Sequence, residues 1–178
     1  MITLDRSDLP DLIERVSGER VALCNQCGKC TAGCPMAVEM DLQPNQIMRF
    51  AQLGLTERLL RSSAIWLCAS CETCATRCPM KVSLAEVVDA LRRLSIERSV
   101  ADRSTGVPQF HQAFLSSVRR NGRAHEMGLI AEYKLRTRRF MDDVPLGARM
   151  FLQGKLALLP DRIRGRAEVA RALERRED

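Results

Sequence analysis

The sequence predicts an all-α fold on three observations. Strand-like alternation is essentially absent from its 178 residues. Apolar residues recur instead at three- and four-residue spacings, between residues that start and stop helices. The cysteine-free spacer in the first half, residues 35–67, has the proline and glycine punctuation of two short helices, with no hairpin signal.

The elements follow in order. Residues 7–18 carry Ser7 or Asp8 as a cap, Pro10 in the first turn, Leu9, Leu12, Ile13 and Val16 on one face, and Gly18 at the end. Pro44 opens a helix to Leu53 that Gly54 closes, with Ile47, Phe50 and Ala51 as its apolar stripe; residues 56–61 form a second short helix. Ser83 and Glu86 make a capping box for a helix carrying Leu84, Val87, Val88, Leu91 and Leu94. Pro108 begins a helix with the stripe Phe110, Ala113, Phe114 and Val118, ending at Asn121 and Gly122. Another runs from Ala124 to about Arg138, with Met127, Ile130, Ala131 and Leu135 inward. Beyond Pro145, LGARMFLQGKLALLP is apolar enough to pack on something. The charged end, RGRAEVARALERRED, is expected to be a frayed or partner-ordered tail.

One fifteen-residue pattern occurs twice, ALCNQCGKCTAGCPM at residues 22–36 and WLCASCETCATRCPM at residues 66–80. Each copy reads CxxCxxCxxxCP, the two hold all eight cysteines, and the period is 44 throughout. A [4Fe–4S] cubane needs four thiolates at the corners of a tetrahedron, and a run of three cysteines at two-residue intervals supplies three of them. In the bacterial two-cluster arrangement the last cysteine of each run serves the other cluster, and proline turns the chain away. On that pattern one cluster takes Cys24, Cys27, Cys30 and Cys78, and the other takes Cys68, Cys71, Cys74 and Cys34. Zinc ligands come as pairs a dozen or more residues apart. Disulfides belong to secreted chains, whereas MITLDRSDLP has no basic n-region, apolar h-region or twin arginine, so a cytoplasmic location is expected. Helices between and after two such runs read as an α-helical ferredoxin module over residues 1–100, with a helical extension over residues 101–178.

No apolar run approaches the roughly 18–20 residues that span a bilayer, so direct membrane insertion is not expected. The formal charge is +6. Residues 1–100 hold twelve basic and twelve acidic side chains, which leaves the whole excess in the extension. Its arginines are scattered among acids and apolar residues with few aromatics, which speaks against nucleic acid and for a solvated face that also docks an acidic protein partner. His111 and His125 have no third ligand near them in the sequence and read as structural, and Phe114 and Met127 read as core.

Two such runs followed by FHQAFLSSVRRNGRAHEMGL at residues 110–129 resemble the C-type, small iron–sulfur subunit of heterodisulfide reductase, over roughly residues 12–155. The cysteine runs alone also fit the iron–sulfur subunit of a quinone-linked dehydrogenase that feeds a membrane anchor, and the extension separates the two. The resemblance implies an electron relay between the flavin-containing A-type subunit of such a complex and its catalytic, cysteine-rich B-type subunit. The chain has no further cysteine motif, no GxGxxG and no nucleophile beside a base, so no catalytic residue is assigned and it is expected to be non-catalytic by itself. Small residues such as Gly28, Gly33, Ala69 and Ser70 admit backbone amides near sulfur, and Lys29 and Arg77 read either as charges that raise a local potential or as plain surface residues.

Overall fold

The computed structural model describes residues 9–101, 106–142, 144–154, 159–161 and 163–174. Every regular element among them is a helix. The expected caps Ser7 and Asp8, the apolar residues 156–158 and the last four residues lie outside this set. The chain divides into two compact units, Met1–Asp102 and Arg103–Asp178.

The first unit begins with α1 (Leu9–Ser17), which buries Leu9 and Ile13 and ends where Gly18 takes a left-handed φ of 76°. A single 3-10 turn, Val21–Leu23, leads into the first cysteine run, whose second half forms α2 (Lys29–Ala32). α3 (Pro44–Gln52) starts from a reciprocal cap in which Gln43 and Gln46 each satisfy the other's backbone amide. Its buried face is Pro44, Ile47, Met48 and Ala51. Phe50, expected on that stripe, lies one step around the helix and is only half-buried, with the Arg58 guanidinium 5.0 Å from its ring centroid. Met48 takes the core position instead, because the first turn is anchored by Pro44 and the inward set follows it at i+3, i+4 and i+7.

α4 (Thr56–Leu60) buries Leu59 and Leu60. A third short helix that the sequence pattern does not separate, α5 (Ala64–Leu67), delivers the chain into the second run, whose second half is α6 (Thr73–Thr76). α7 (Leu84–Glu97) closes the unit. Ser83 Oγ accepts the Glu86 amide at 3.3 Å, and Leu84, Val87, Val88, Leu91 and Leu94 are all buried, each such side chain contributing roughly 1.5–3 kcal/mol when removed from water.

The two cysteine runs are the visible part of a structural repeat. At an offset of 44, Val21 corresponds to Ile65, α2 to α6, and the left-handed residues Gln26 and Gly28 to Ser70 and Glu72 (φ 59°, 75°, 48° and 57°). The following helices repeat at an offset of 40, Gln43 and Gln46 with Ser83 and Glu86, Ile47 with Val87, Ala51 with Leu91. Four extra residues between Cys34 and Gln43 account for the difference.

In the second unit α8 (Val107–Asn121) packs against α9 (Glu126–Thr137) and α11 (Arg166–Glu174), with α10 (Val144–Leu152) between them in sequence. Gly122 ends α8 at φ 81°, and Ile163 lies so close that any side chain there would collide with it. The expected inward stripes are overturned here. α8 buries Pro108, Gln109, Ala113 and Ser117, while Phe110 and Phe114 are exposed; on α9, Ile130, Ala131 and Leu135 face out. Small residues allow close helix approach, and the large ones are left on the outside. Phe114 is therefore not core, and Met127 is half-buried. Within the charged end, Arg166–Glu174 form α11. His125 caps α9, its Nδ1 accepting the Gly128 amide at 3.1 Å, and the His111 ring meets Phe110 edge-on.

Candidate iron–sulfur site

The cysteines line two adjacent hollows of about 450 and 420 Å³, both partly open to solvent. Cys34 of the first run stands in one hollow with Cys68, Cys71 and Cys74 of the second. Cys24, Cys27 and Cys30 line the other, together with Cys78 and Cys74. Met36, Met40, Pro44, Ile47 and Val88 make most of the remaining wall of the first, while the second sets Asn25, Gln26, Lys29 and Asn45 beside Met48, Met80 and Val82. Leu84 and Cys74 line both, so the hollows share a wall. Among the described residues no three His, Cys, Asp or Glu side chains close on a point that would hold a single metal ion. Thiolates bound to different irons of a cubane stand farther apart than the ligands of one ion, and an apolar hollow walled by four sulfurs fits such a cluster.

Local backbone geometry makes these hollows. In each run the last residue before the second cysteine and the first after it are left-handed, a conformation that occurs where backbone amides gather around an anionic group. Glycine supplies one of the four such positions, Gly28; the other three are Gln26, Ser70 and Glu72, each costing about 1 kcal/mol. Amides and side chains also approach sulfur: the Val82 amide lies 3.4 Å from Cys78 Sγ, Gln26 Nε2 lies 3.5 Å from Cys24 Sγ, and Thr73 Oγ1 lies 3.5 Å from Cys71 Sγ. The Thr73 hydroxyl and amide hold the exposed Cys71 thiol below its ordinary pKa. Burial pushes Cys30 and Cys74 up, so their thiolates need a cationic partner to be held at neutral pH.

Three residues that the sequence pattern does not single out brace the two runs. Asp41 accepts from Ser62 Oγ at 2.7 Å, the Ala64 amide at 2.8 Å and the Ser63 amide at 3.3 Å, and so caps α5 from a loop more than twenty residues away. Gln52, on α3, donates Nε2 to the carbonyls of Val21 and Cys24 at 3.0 and 2.8 Å. Arg92, on α7, donates Nε to the Ile65 carbonyl at 2.6 Å and Nη2 to the Cys68 carbonyl. The signal that could have found Gln52 and Arg92 is the 40-residue offset of the helices, which the 44-residue period of the cysteines hides.

Asp41 yields a direct test. Burial pushes its carboxyl up, but the hydrogen bonds from Ser62, Ala64 and Ser63 outweigh that and hold it below its ordinary value. A group depressed on folding stabilises the fold above its unfolded pKa and loses that contribution as the pH falls through its folded one, so the full benefit is present at neutral pH and begins to fall only below about pH 4. Asp41→Ala is expected to lower the stability of the cluster-loaded protein by about 1 kcal/mol, equally at pH 7 and pH 6. Denaturant melts at both pH values, where acid does not strip the clusters, check this; an unchanged midpoint would show that the cap on α5 contributes nothing.

Residues 23–83 match the 4Fe-4S dicluster domain family. Three curated relatives are similar to the chain, each a C-type iron–sulfur subunit or a protein like one. That of the CoB–CoM heterodisulfide reductase of Methanopyrus kandleri is 37% identical over 95 residues, 51% of this chain and 50% of the relative. The protein of Archaeoglobus profundus that is like the C-type subunit of heterodisulfide reductase is 36% identical over 88 residues, 49% of this chain and 47% of the relative. The C-type subunit of the H2:CoB–CoM heterodisulfide,ferredoxin reductase of Methanothermobacter thermautotrophicus is 30% identical over 85 residues, 48% and 46%. The chain spans about half the length of the curated relatives it matches. Residues 23–83 thus carry a 4Fe-4S dicluster domain, and two [4Fe–4S] clusters are its cofactors. These relatives agree with the resemblance to the small iron–sulfur subunit of heterodisulfide reductase, and together with the domain they support an iron–sulfur electron-transfer role.

Proposed function

We propose that this chain is the electron-transfer subunit of a heterodisulfide-reductase-like complex, built on an α-helical ferredoxin module whose two clusters exchange their fourth ligands. Cys24, Cys27, Cys30 and Cys78 hold one cluster, and Cys68, Cys71, Cys74 and Cys34 hold the other. The observation that carries the reading is the crossed lining of the two hollows: Cys34 joins Cys68, Cys71 and Cys74 in one, and Cys78 joins Cys24, Cys27 and Cys30 in the other, where Cys74 also forms part of the shared wall. The clusters supply reversible one-electron storage; the protein contributes sulfur ligands, an apolar wall, and donors aimed at sulfur and at the cysteine carbonyls. Cys27 and Cys71 are the exposed corners of the two hollows, where an electron would enter or leave.

In this reading a flavin subunit passes electrons to the chain, which hands them to a cysteine-rich catalytic subunit. No helix among the described residues is long and apolar enough to cross a membrane. The second unit is the docking element. Its exposed apolar side chains include Leu135 at 70%, Met141 at 81% and Leu152 at 85%, more large apolar exposure than a free surface ordinarily carries. The arginines expected to dock acidic partners are in part used internally: Arg120 pairs with Glu132 and Arg123 with Asp161. Docking accordingly leans on the apolar residues. In an affinity-tagged full chain expressed with its native complex, Leu135→Glu and Leu152→Glu are expected to keep full iron content while losing co-purification of the flavin and cysteine-rich subunits. Unchanged co-purification with both variants would move the docking surface to the first unit. Recovery of a multi-helix membrane anchor in place of those subunits would favour a quinone-linked dehydrogenase.

A further inference from the structure

The two halves of the repeat are braced by side chains of different charge. Relative to each run the braced carbonyls are the same pair, the first cysteine and the residue three before it: Val21 and Cys24 take the neutral amide of Gln52, while Ile65 and Cys68 take the guanidinium of Arg92. Guanidinium is charged at every relevant pH. The Arg92 side chain is only 14% exposed, and its Nη1 also reaches Ser70 Oγ at 3.3 Å, inside the loop between Cys68 and Cys71. Its counter-charge, Asp89 at 2.8 Å, is 54% exposed and therefore better screened by water than the cation it faces. Other charges in or beside the runs, Lys29, Glu72, Arg77 and Lys81, are exposed and screened in the same way.

Resting on the ligand sets proposed above, we propose that Arg92 makes the two cluster sites unequal, raising the potential of the cluster held by Cys34, Cys68, Cys71 and Cys74 above that of its neighbour. The physical reason is charge. Reduction adds one negative charge to a cluster, and a fixed, poorly hydrated cation stabilises the reduced state more than the oxidised one. Arg92 is thus a positioning and potential-setting residue, and a single electron on the chain rests on its side of the repeat. No bond is made or broken in that transfer; one electron leaves one site and enters the other.

The test is a redox titration of the anaerobically purified full chain with dithionite as the one-electron donor, followed by electron paramagnetic resonance. Two resolved steps are expected in the unaltered protein. Arg92→Gln, which copies the Gln52 brace, should lower the higher step by the equivalent of about tenfold in the reduced-to-oxidised ratio, which is 59 mV for one electron, and leave the lower step in place. Arg92→Lys, which keeps the charge, should retain most of the separation. Asp89→Asn lies on an exposed position, keeps the brace and removes the counter-charge; it should move the same step the opposite way, which keeps the idea testable if Arg92→Gln assembles poorly. Unmoved potentials in Asp89→Asn and Arg92→Gln, movement of the lower step, or identical behaviour of the glutamine and lysine variants would overturn it. A protein with fewer than two cubane signals before any substitution would instead overturn the ligand reading on which it rests.

Discussion

Cys34→Ser is expected to reduce the iron content from about eight to about four atoms per chain and to remove the signal of the cluster built on Cys68, Cys71 and Cys74, although Cys34 belongs to the other run. Cys34 lines the hollow of the second run and is absent from the hollow of its own. Cys78→Ser should do the reverse. A serine oxygen is a harder, weaker ligand for iron than a thiolate, so the substitution removes a corner without removing volume. Iron and sulfide analysis with resonance spectra of both variants checks the pair. Loss of the Cys24, Cys27 and Cys30 cluster in Cys34→Ser would mean that each run closes on its own cubane.

Removal of iron should have the larger effect on the fold itself. Chelation under reducing conditions is expected to unfold most of the first unit and to cost roughly half of the helical circular dichroism signal, leaving the cysteine-free second unit. Several features of the first unit depend on a cluster. Gln26, Ser70 and Glu72 are left-handed without being glycine, costing about 1 kcal/mol each, a cost that bound clusters would help to offset. α2 and α6 are four residues each, too short to persist as helices alone. Partial burial pushes the thiols of half-buried Cys30 and Cys74 up, so their thiolates are favoured by a bound cationic centre. An apoprotein with an unchanged spectrum would show that the core of α1, α3 and α7 suffices without the clusters.

The sequence by itself determined the helical class, the extent of the principal helices of the first unit and the residues able to bind iron. Each of these is local. A proline at the start, a glycine at the end and an apolar step of three or four residues act over one or two turns, and Pro44, Gly54, Ser83 and Glu86 stand where the structure uses them. Cysteine has no such neighbours to compete with; eight thiols in a CxxCxxCxxxCP repeat announce their chemistry whatever the fold. The sequence also carried the motif that led to the heterodisulfide reductase resemblance.

Only the tertiary structure decided which side chains brace the runs and which apolar residues are covered. Asp41 reaches α5 across 23 positions of sequence, Arg92 reaches Cys68 across 24 and Gln52 reaches Cys24 across 28, and no helical spacing of three or four residues encodes such pairs. Helical spacing tells which residues share a face but not whether a partner exists to bury that face. In α7 the partners exist and the whole stripe is buried. In α8 the close neighbours meet Ala113 and Ser117, so Phe110 and Phe114 stay outside. Amphipathicity is a property of one helix, whereas burial belongs to at least two.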